Sequence, residues 1–294
     1  MKPMAGLLAF ALALLGRHSA VAQDLLPAPD PWRFNVALYG WAVGVTGNVT
    51  ARGQTVDVNA STIDLLQKSD SLIGFMGYFE ADKGPVGFYA DIVFAKLGFG
   101  AGQTNYRNPL PGLSITTSAN AAVTYSLFIA EMGGLYEVAR WHGASEGSST
   151  ALDGLLAFRY WNNSVDTNFN ANANVNLDVF GIERSRSFGL AVARADAVQW
   201  VDPVIGFRLR HQFTPSQQIM VQGDIGGFGL GSQFSWQAIA VYSYAWQYTG
   251  YQVAALLGFR ALGVNYSSPS GAGVDAVSIN EVLYGPIIGV SFRF

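Results

Sequence analysis

Carboxylates and guanidinium groups recur at alternate positions within segments that are otherwise apolar. Asp153 and Arg159 are offset by one residue from Leu152, Leu156, Phe158 and Tyr160. Asp202, Arg208, Arg210 and Gln212 are offset in the same way from Val201, Ile205, Phe207, Leu209 and Phe213. Asp224 opposes Ile219, Val221 and Ile225, and Arg260 opposes Tyr251, Val253, Leu257 and Phe259. Arg33, Glu80, Asp91, Glu131, Glu137, Glu281 and Arg293 follow the same rule. Every base in this set is arginine. A guanidinium pairs in plane with a carboxylate through two N–H groups, and it tolerates burial better than an ammonium. Two chemistries fit the set. One is a closed network of ion pairs, because an unpaired charge in a narrow interior is costly. The other is a mixed-charge lining of a polar passage, which selects permeants by sign.

Other chemistries find little support. The chain has no cysteine, so thiolate catalysis and cysteine metal sites are excluded. Beyond the first 22 residues it has two histidines, His142 and His211. Hydrolysis needs a nucleophile beside a base. His211 falls on the apolar side of its segment, and His142 lies in "RWHGASEG". Neither converges with a serine and an acid, so no catalytic residue, metal or cofactor is expected. "GDIGGFGLGS" lacks the Lys-Ser/Thr that follows a phosphate loop and reads as a tight turn. "DVNASTID" lacks the acidic spacing of a calcium loop.

These residues need elements of period two to hold them on one side. No period of 3.6 persists, whereas strict alternation recurs between clusters of Gly, Pro, Asn and Ser. Segment 232–248 is the clearest: Phe234, Trp236, Tyr242, Tyr244, Trp246 and Tyr248 share one side with alanines at its middle, against glutamines and serines. That is the aromatic girdle and polar lumen of a membrane strand. Only 13% of the residues are charged while half are apolar, against roughly 25% charged in soluble domains. No apolar run after the first 20 residues reaches the roughly 18 residues of a membrane helix. The reading is an all-β fold, a transmembrane antiparallel up-and-down barrel of about 10 strands (8–12), with outer-membrane lipid as its surroundings.

Residues 1–22 read as a signal peptide, with Lys2, an apolar run and Ala20-Val21-Ala22, and 23–294 as the barrel domain. Without the leader the net charge is −5, from 15 basic and 20 acidic residues, which argues against nucleic acid. Short turns are expected at "DKGP", "TPSQ" and "YTG", and long loops at 98–117, 162–196 and 266–278. An outer loop over 47–70 with a short "STIDLLQ" helix makes the strand number even. "NFNANANVNLDV" reads as an extension of its neighbouring strand, and a bulge is expected near Leu127 to absorb a phase slip in 118–139.

"WVDP" at 200–203, "GFRLR", "DIGGFGLGS" at 224–232, "LLGFRAL" and "GPIIGVSFRF" resemble a family of Gram-negative outer-membrane β-barrel proteins. "YGWAVGVTG", "STIDLL" and "GYFEADKGPVGFYADIVF" fit the same family. The resemblance covers most of 23–294 and implies a barrel in the outer membrane. It also implies that Phe292 and Phe294 belong to the signal read by the barrel-assembly machinery. It implies neither reaction nor ligand. The functions left open are a narrow channel with an unknown small permeant, a structural barrel with a charge-filled lumen, surface adhesion through 162–196, and, last, a lipid-modifying enzyme.

Overall fold

The computed structural model describes residues 31–294 except 52–53, 69–70, 111–112, 146, 180–181 and 269–276. The expected leader 1–22 lies outside the described residues. The elements are β1 (Arg33–Trp41), β2 (Gly44–Ala51), β3 (Gln54–Ala60), α1 (Thr62–Lys68), β4 (Ser71–Lys83), β5 (Val86–Leu110) and β6 (Leu113–His142). They continue as β7 (Ser149–Val179), β8 (Ile182–Thr214), β9 (Gln217–Gly226), β10 (Phe234–Tyr248), β11 (Tyr251–Ser267) and β12 (Val277–Arg293).

Strands β1 and β4 to β12 close into an antiparallel barrel of ten strands. Closure runs from Asn35↔Arg293 to Trp41↔Ile287. Phe34 and Phe294 add two backbone hydrogen bonds of 3.1 and 2.9 Å. Residues 84–85, 143–148, 215–216 and 249–250 connect strands at one end, here the short-turn end. Long hairpins leave the other end.

Alternation sorts the side chains as the barrel requires. On β10, Ser235 and Gln237 are buried inside, while Phe234, Tyr242, Tyr244, Trp246 and Tyr248 are exposed outside. Trp236 is half-buried on the outer face, opposite Gly263. Phe75, Phe79, Phe158, Phe207, Leu257 and Ile288 continue the exposed apolar surface around the wall.

Three local expectations need correction. Helix α1 forms in the expected stretch, but within the loop expected over 47–70 the chain pairs β2 (Gly44–Ala51) with β3 (Gln54–Ala60). Residues 277–284 of β12 extend past β1, and β2 supplies their partner, from Val277↔Ala51 to Tyr284↔Gly44. The chain steps from β1 to β2 at 42–43, where a Cβ on Gly285 would lie 2.0 Å from the Ala42 carbonyl oxygen. Glycine there lets the two backbones meet. Second, pairing of β6 with β7 is regular past Leu127↔Asn163, and the register shift falls between Glu137 and Ala139. Alternation reveals that a phase changes but not where the extra residue, Val138, is taken up. Third, 98–110, 113–117, 162–167 and 182–196 are strand rather than loop, while 168–179 extends β7 as expected. With β7 at 31 residues and ~3.3 Å per residue, the β7–β8 hairpin outruns the ~25 Å apolar band of a membrane barrel.

Candidate functional site

The inward faces of seven strands place a belt of charge across the lumen. Its centre is Arg159 on β7, fully buried. Its Nε donates to Glu131 Oε2 at 2.6 Å, and its Nη2 reaches Glu131 Oε2 at 2.5 Å and Asp224 Oδ1 at 2.7 Å. Arg208 on β8 donates to Glu80 Oε2 at 2.6 Å, Tyr78 Oη at 2.9 Å and Gln222 Oε1 at 3.1 Å. Arg260 on β11 donates through Nη1 to Asp91 Oδ2 at 2.7 Å and Tyr39 Oη at 2.9 Å. Three guanidinium groups therefore face four carboxylates. Neutral donors serve the other oxygens of Asp91, Glu131 and Asp224, and in Glu80 the same Oε2 that Arg208 binds. Tyr39 donates to Asp91 at 2.6 Å and Tyr89 to Glu131 at 2.6 Å, Tyr78 donates to Glu80, and Gln237 donates to Asp224 at 3.0 Å. The rings of Tyr78 and Tyr89 lie 5.8 and 5.4 Å from the Arg208 guanidinium, and Trp41 lies 5.1 Å from that of Arg260. These are cation–π distances.

A second set of pairs lies nearer the short-turn end. Arg210 binds Asp153 through two hydrogen bonds of 2.7 and 2.8 Å and reaches Glu137 at 3.3 Å. Arg140 binds Glu137 at 2.5 and 2.7 Å, and Arg33 binds Asp82 at 2.5 Å.

Toward the long-hairpin end the belt gives way to an apolar layer. Each step of two residues along a strand keeps the side chain inside. Asp91 is followed by Val93, Arg159 by Trp161 and Arg260 by Leu262. On strands running the other way, Ile129 precedes Glu131 and Trp200 precedes Asp202. All five apolar residues are buried in one cluster with Trp41, Met76, Leu127 and Tyr266. Trp161 stacks on Trp200 at 5.4 Å and Trp200 on Tyr266 at 4.1 Å. Charge below and packed rings above thus occupy adjacent levels of the lumen.

Asp202 and Glu281, expected among the ion pairs, do something else. Asp202 accepts from the Ser232 backbone N–H at 2.6 Å, the Ser232 hydroxyl at 2.9 Å and Trp161 Nε1 at 3.1 Å. It thereby fastens the glycine-rich turn between β9 and β10 against β8. A Cβ on Gly231 would lie 2.1 Å from the Val201 carbonyl oxygen, so the turn docks only without a side chain there. "WVDP" and "DIGGFGLGS" are thus two halves of one structural unit. Glu281 is buried within the apolar layer, and its Oε1 has no hydrogen-bond partner among the described residues. Arg293, expected to turn toward carboxylates, lines the short-turn mouth and makes no ion pair among the described residues. His211 lies on the outer face with its Nδ1 2.8 Å from the Thr150 hydroxyl, and His142 ends β6.

Sequence reasoning missed Asp82, Arg140, the three tyrosines and the apolar layer. Spacing by two from the inward charges was a usable signal for the layer. The tyrosines carry no such mark, since an aromatic ring suits either face.

No protein-family model matches the chain, and no curated protein matches it. Among solved structures, the chain is similar to a FadL homologue of Pseudomonas aeruginosa at 6% identity and TM-score 0.26, covering 90% of this chain and 89% of that one. It is similar to Ail, the attachment invasion locus protein of Yersinia pestis, at 12% identity and TM-score 0.26, over 90% of this chain and 98% of Ail. The translocator domain of the autotransporter NalP from Neisseria meningitidis follows at 9% identity and TM-score 0.31, over 92% of this chain and 90% of that one. Likenesses this distant assign neither a family nor a ligand.

Proposed function

We propose that this chain is an outer-membrane barrel of a Gram-negative bacterium with a sealed lumen, a structural membrane protein rather than an open channel. The observation that carries the reading is Arg159, fully buried inside the barrel between Glu131 and Asp224. An arginine that is free to line a pore is solvated, whereas this one has exchanged water for two carboxylates. The exposed apolar belt and the aromatic residues of β10 fit contact with outer-membrane lipid. Phe292 and Phe294, in the pairing of β12 with β1, fit a role in recognition by the barrel-assembly machinery. The short-turn end then faces the periplasm and the long hairpins face outward.

A second reading, surface adhesion, has one observation in its favour. The extension of β6, β7 and β8 pairs Asn170 with Asn120, Asn172 with Ser118 and Gly189, and Asn174 with Thr116 and Ser187. This is a ladder of amide and hydroxyl groups on a paired sheet, suited to a hydrogen-bonding partner. Protease added to intact cells tests both readings. The β7–β8 hairpin is cut while the barrel stays in the outer-membrane fraction, and the adhesive reading adds loss of surface binding after the cut. Cutting only after the envelope is permeabilised contradicts the proposed topology.

A further inference from the structure

Below the charge belt the lumen opens into a cavity of about 790 Å³ that reaches the short-turn end. This volume lies in the ~300–1,000 Å³ range of small-molecule sites. Its walls are of two kinds. Met220 on β9, Ile239 and Val241 on β10 and Leu256 on β11 point inward and remain only half-buried, so they present apolar surface to the cavity. They form one patch, since Met220 and Val241 are cross-strand partners and Leu256 sits opposite Ser243. An aqueous vestibule that serves no ligand gains nothing from an apolar patch on its inner wall.

The mouth also carries arginines. A smaller cavity of about 160 Å³ shares Arg33, Arg210 and Arg293 with the large one and adds Arg140. Asp82, Glu137 and Asp153 pair with three of these four arginines. Arg293 is left over, with no ion pair among the described residues. It stands at the junction of the two cavities, on the strand beside Gln252 and Asn35.

We infer that this vestibule is a binding site for an amphipathic organic anion, entered from the aqueous phase at the short-turn end. The apolar body lies along Met220, Ile239, Val241 and Leu256. The anionic group meets Arg293, whose fork is suited to a carboxylate or phosphoryl group. The glutamine and serine side chains around the patch, among them Gln218, Ser243 and Gln252, serve the polar atoms between. The inference goes beyond the sealed-lumen reading and does not depend on it, because the site needs only the lower half of the lumen.

Calorimetric titration of octyl phosphate into the barrel in phosphatidylcholine nanodiscs tests it, with empty nanodiscs subtracted. One saturable site per barrel is expected, with octanol and inorganic phosphate each binding at least about tenfold more weakly. Arg293→Gln and Val241→Asn should each weaken octyl phosphate by about tenfold or more. Heat-modifiable gel mobility shows whether each variant is folded, and Val241→Asn carries the test if Arg293→Gln does not assemble. No saturable binding above empty nanodiscs overturns the inference. Equal affinity of octyl phosphate and octanol overturns it too, as does unchanged affinity in folded Val241→Asn.

Discussion

At the scale of single residues, the lumen is governed by what burial does to charge. Removing one partner from a buried ion pair strands the other and costs ~3–5 kcal/mol, whereas an exposed pair contributes ~0–1 kcal/mol. Arg159 has no exposed surface, while the Arg33 side chain is 51% exposed beside Asp82. Arg159→Met should therefore lower folding stability by ~3–5 kcal/mol, and Arg33→Met by no more than ~1 kcal/mol. Equilibrium urea unfolding in lipid vesicles, followed by gel mobility, measures both. Equal effects would show that the central belt is hydrated. Which residues face inward was legible from alternation alone. Which acid meets which base was not, since Arg208 reaches Glu80 across 128 positions and Arg260 reaches Asp91 across 169. Such pairs depend on how far each strand slides past the next around the whole wall, and no local stretch of sequence encodes that. Asp202 and Glu281 share the inward phase with the paired acids and still differ from them, because their neighbours inside the barrel are a turn and an apolar layer.

At the scale of elements, strands were more legible than their ends. The alternation of β10 specifies both of its faces. The same alternation says nothing about whether 162–179 and 182–196 stay paired beyond the barrel wall, and here they do. The step from β1 to β2 was hidden for a related reason. It answers the extra length of β12, which is remote in sequence and adjacent in space. The turn between β9 and β10 is the element with the most exacting fit. Gly231 passes so close to Val201 that any side chain must push the turn away from β8. Gly231→Ala should then cost more than Ser232→Ala, which removes only the hydroxyl's 2.9 Å bond to Asp202 and keeps the 2.6 Å backbone bond. A charge-assisted bond of this kind contributes ~1.5–3 kcal/mol. Comparing the urea midpoints of the two variants checks the order, and a smaller loss in Gly231→Ala would mean that the turn is not seated on β8.

At the scale of the whole molecule, three zones are stacked along one axis. A vestibule open at the short-turn end leads to a belt of arginines, carboxylates and tyrosines. Above the belt lies a buried apolar layer built around Trp41, Trp161, Trp200 and Leu262. The barrel architecture and the outer apolar surface follow from the sequence, because strand pairing and an apolar outer face impose simple periods. The filling of the lumen does not, because it depends on side chains from many strands meeting at one level. Polar alternation alone fits a pore and a plug equally well. On the proposed sealed lumen, the belt and the layer above it leave no continuous aqueous path. Single-channel recording of the refolded protein in planar bilayers decides this. The sealed lumen predicts no stepwise currents at any holding potential that the bilayer survives, and reproducible ohmic steps from the wild-type protein would contradict it.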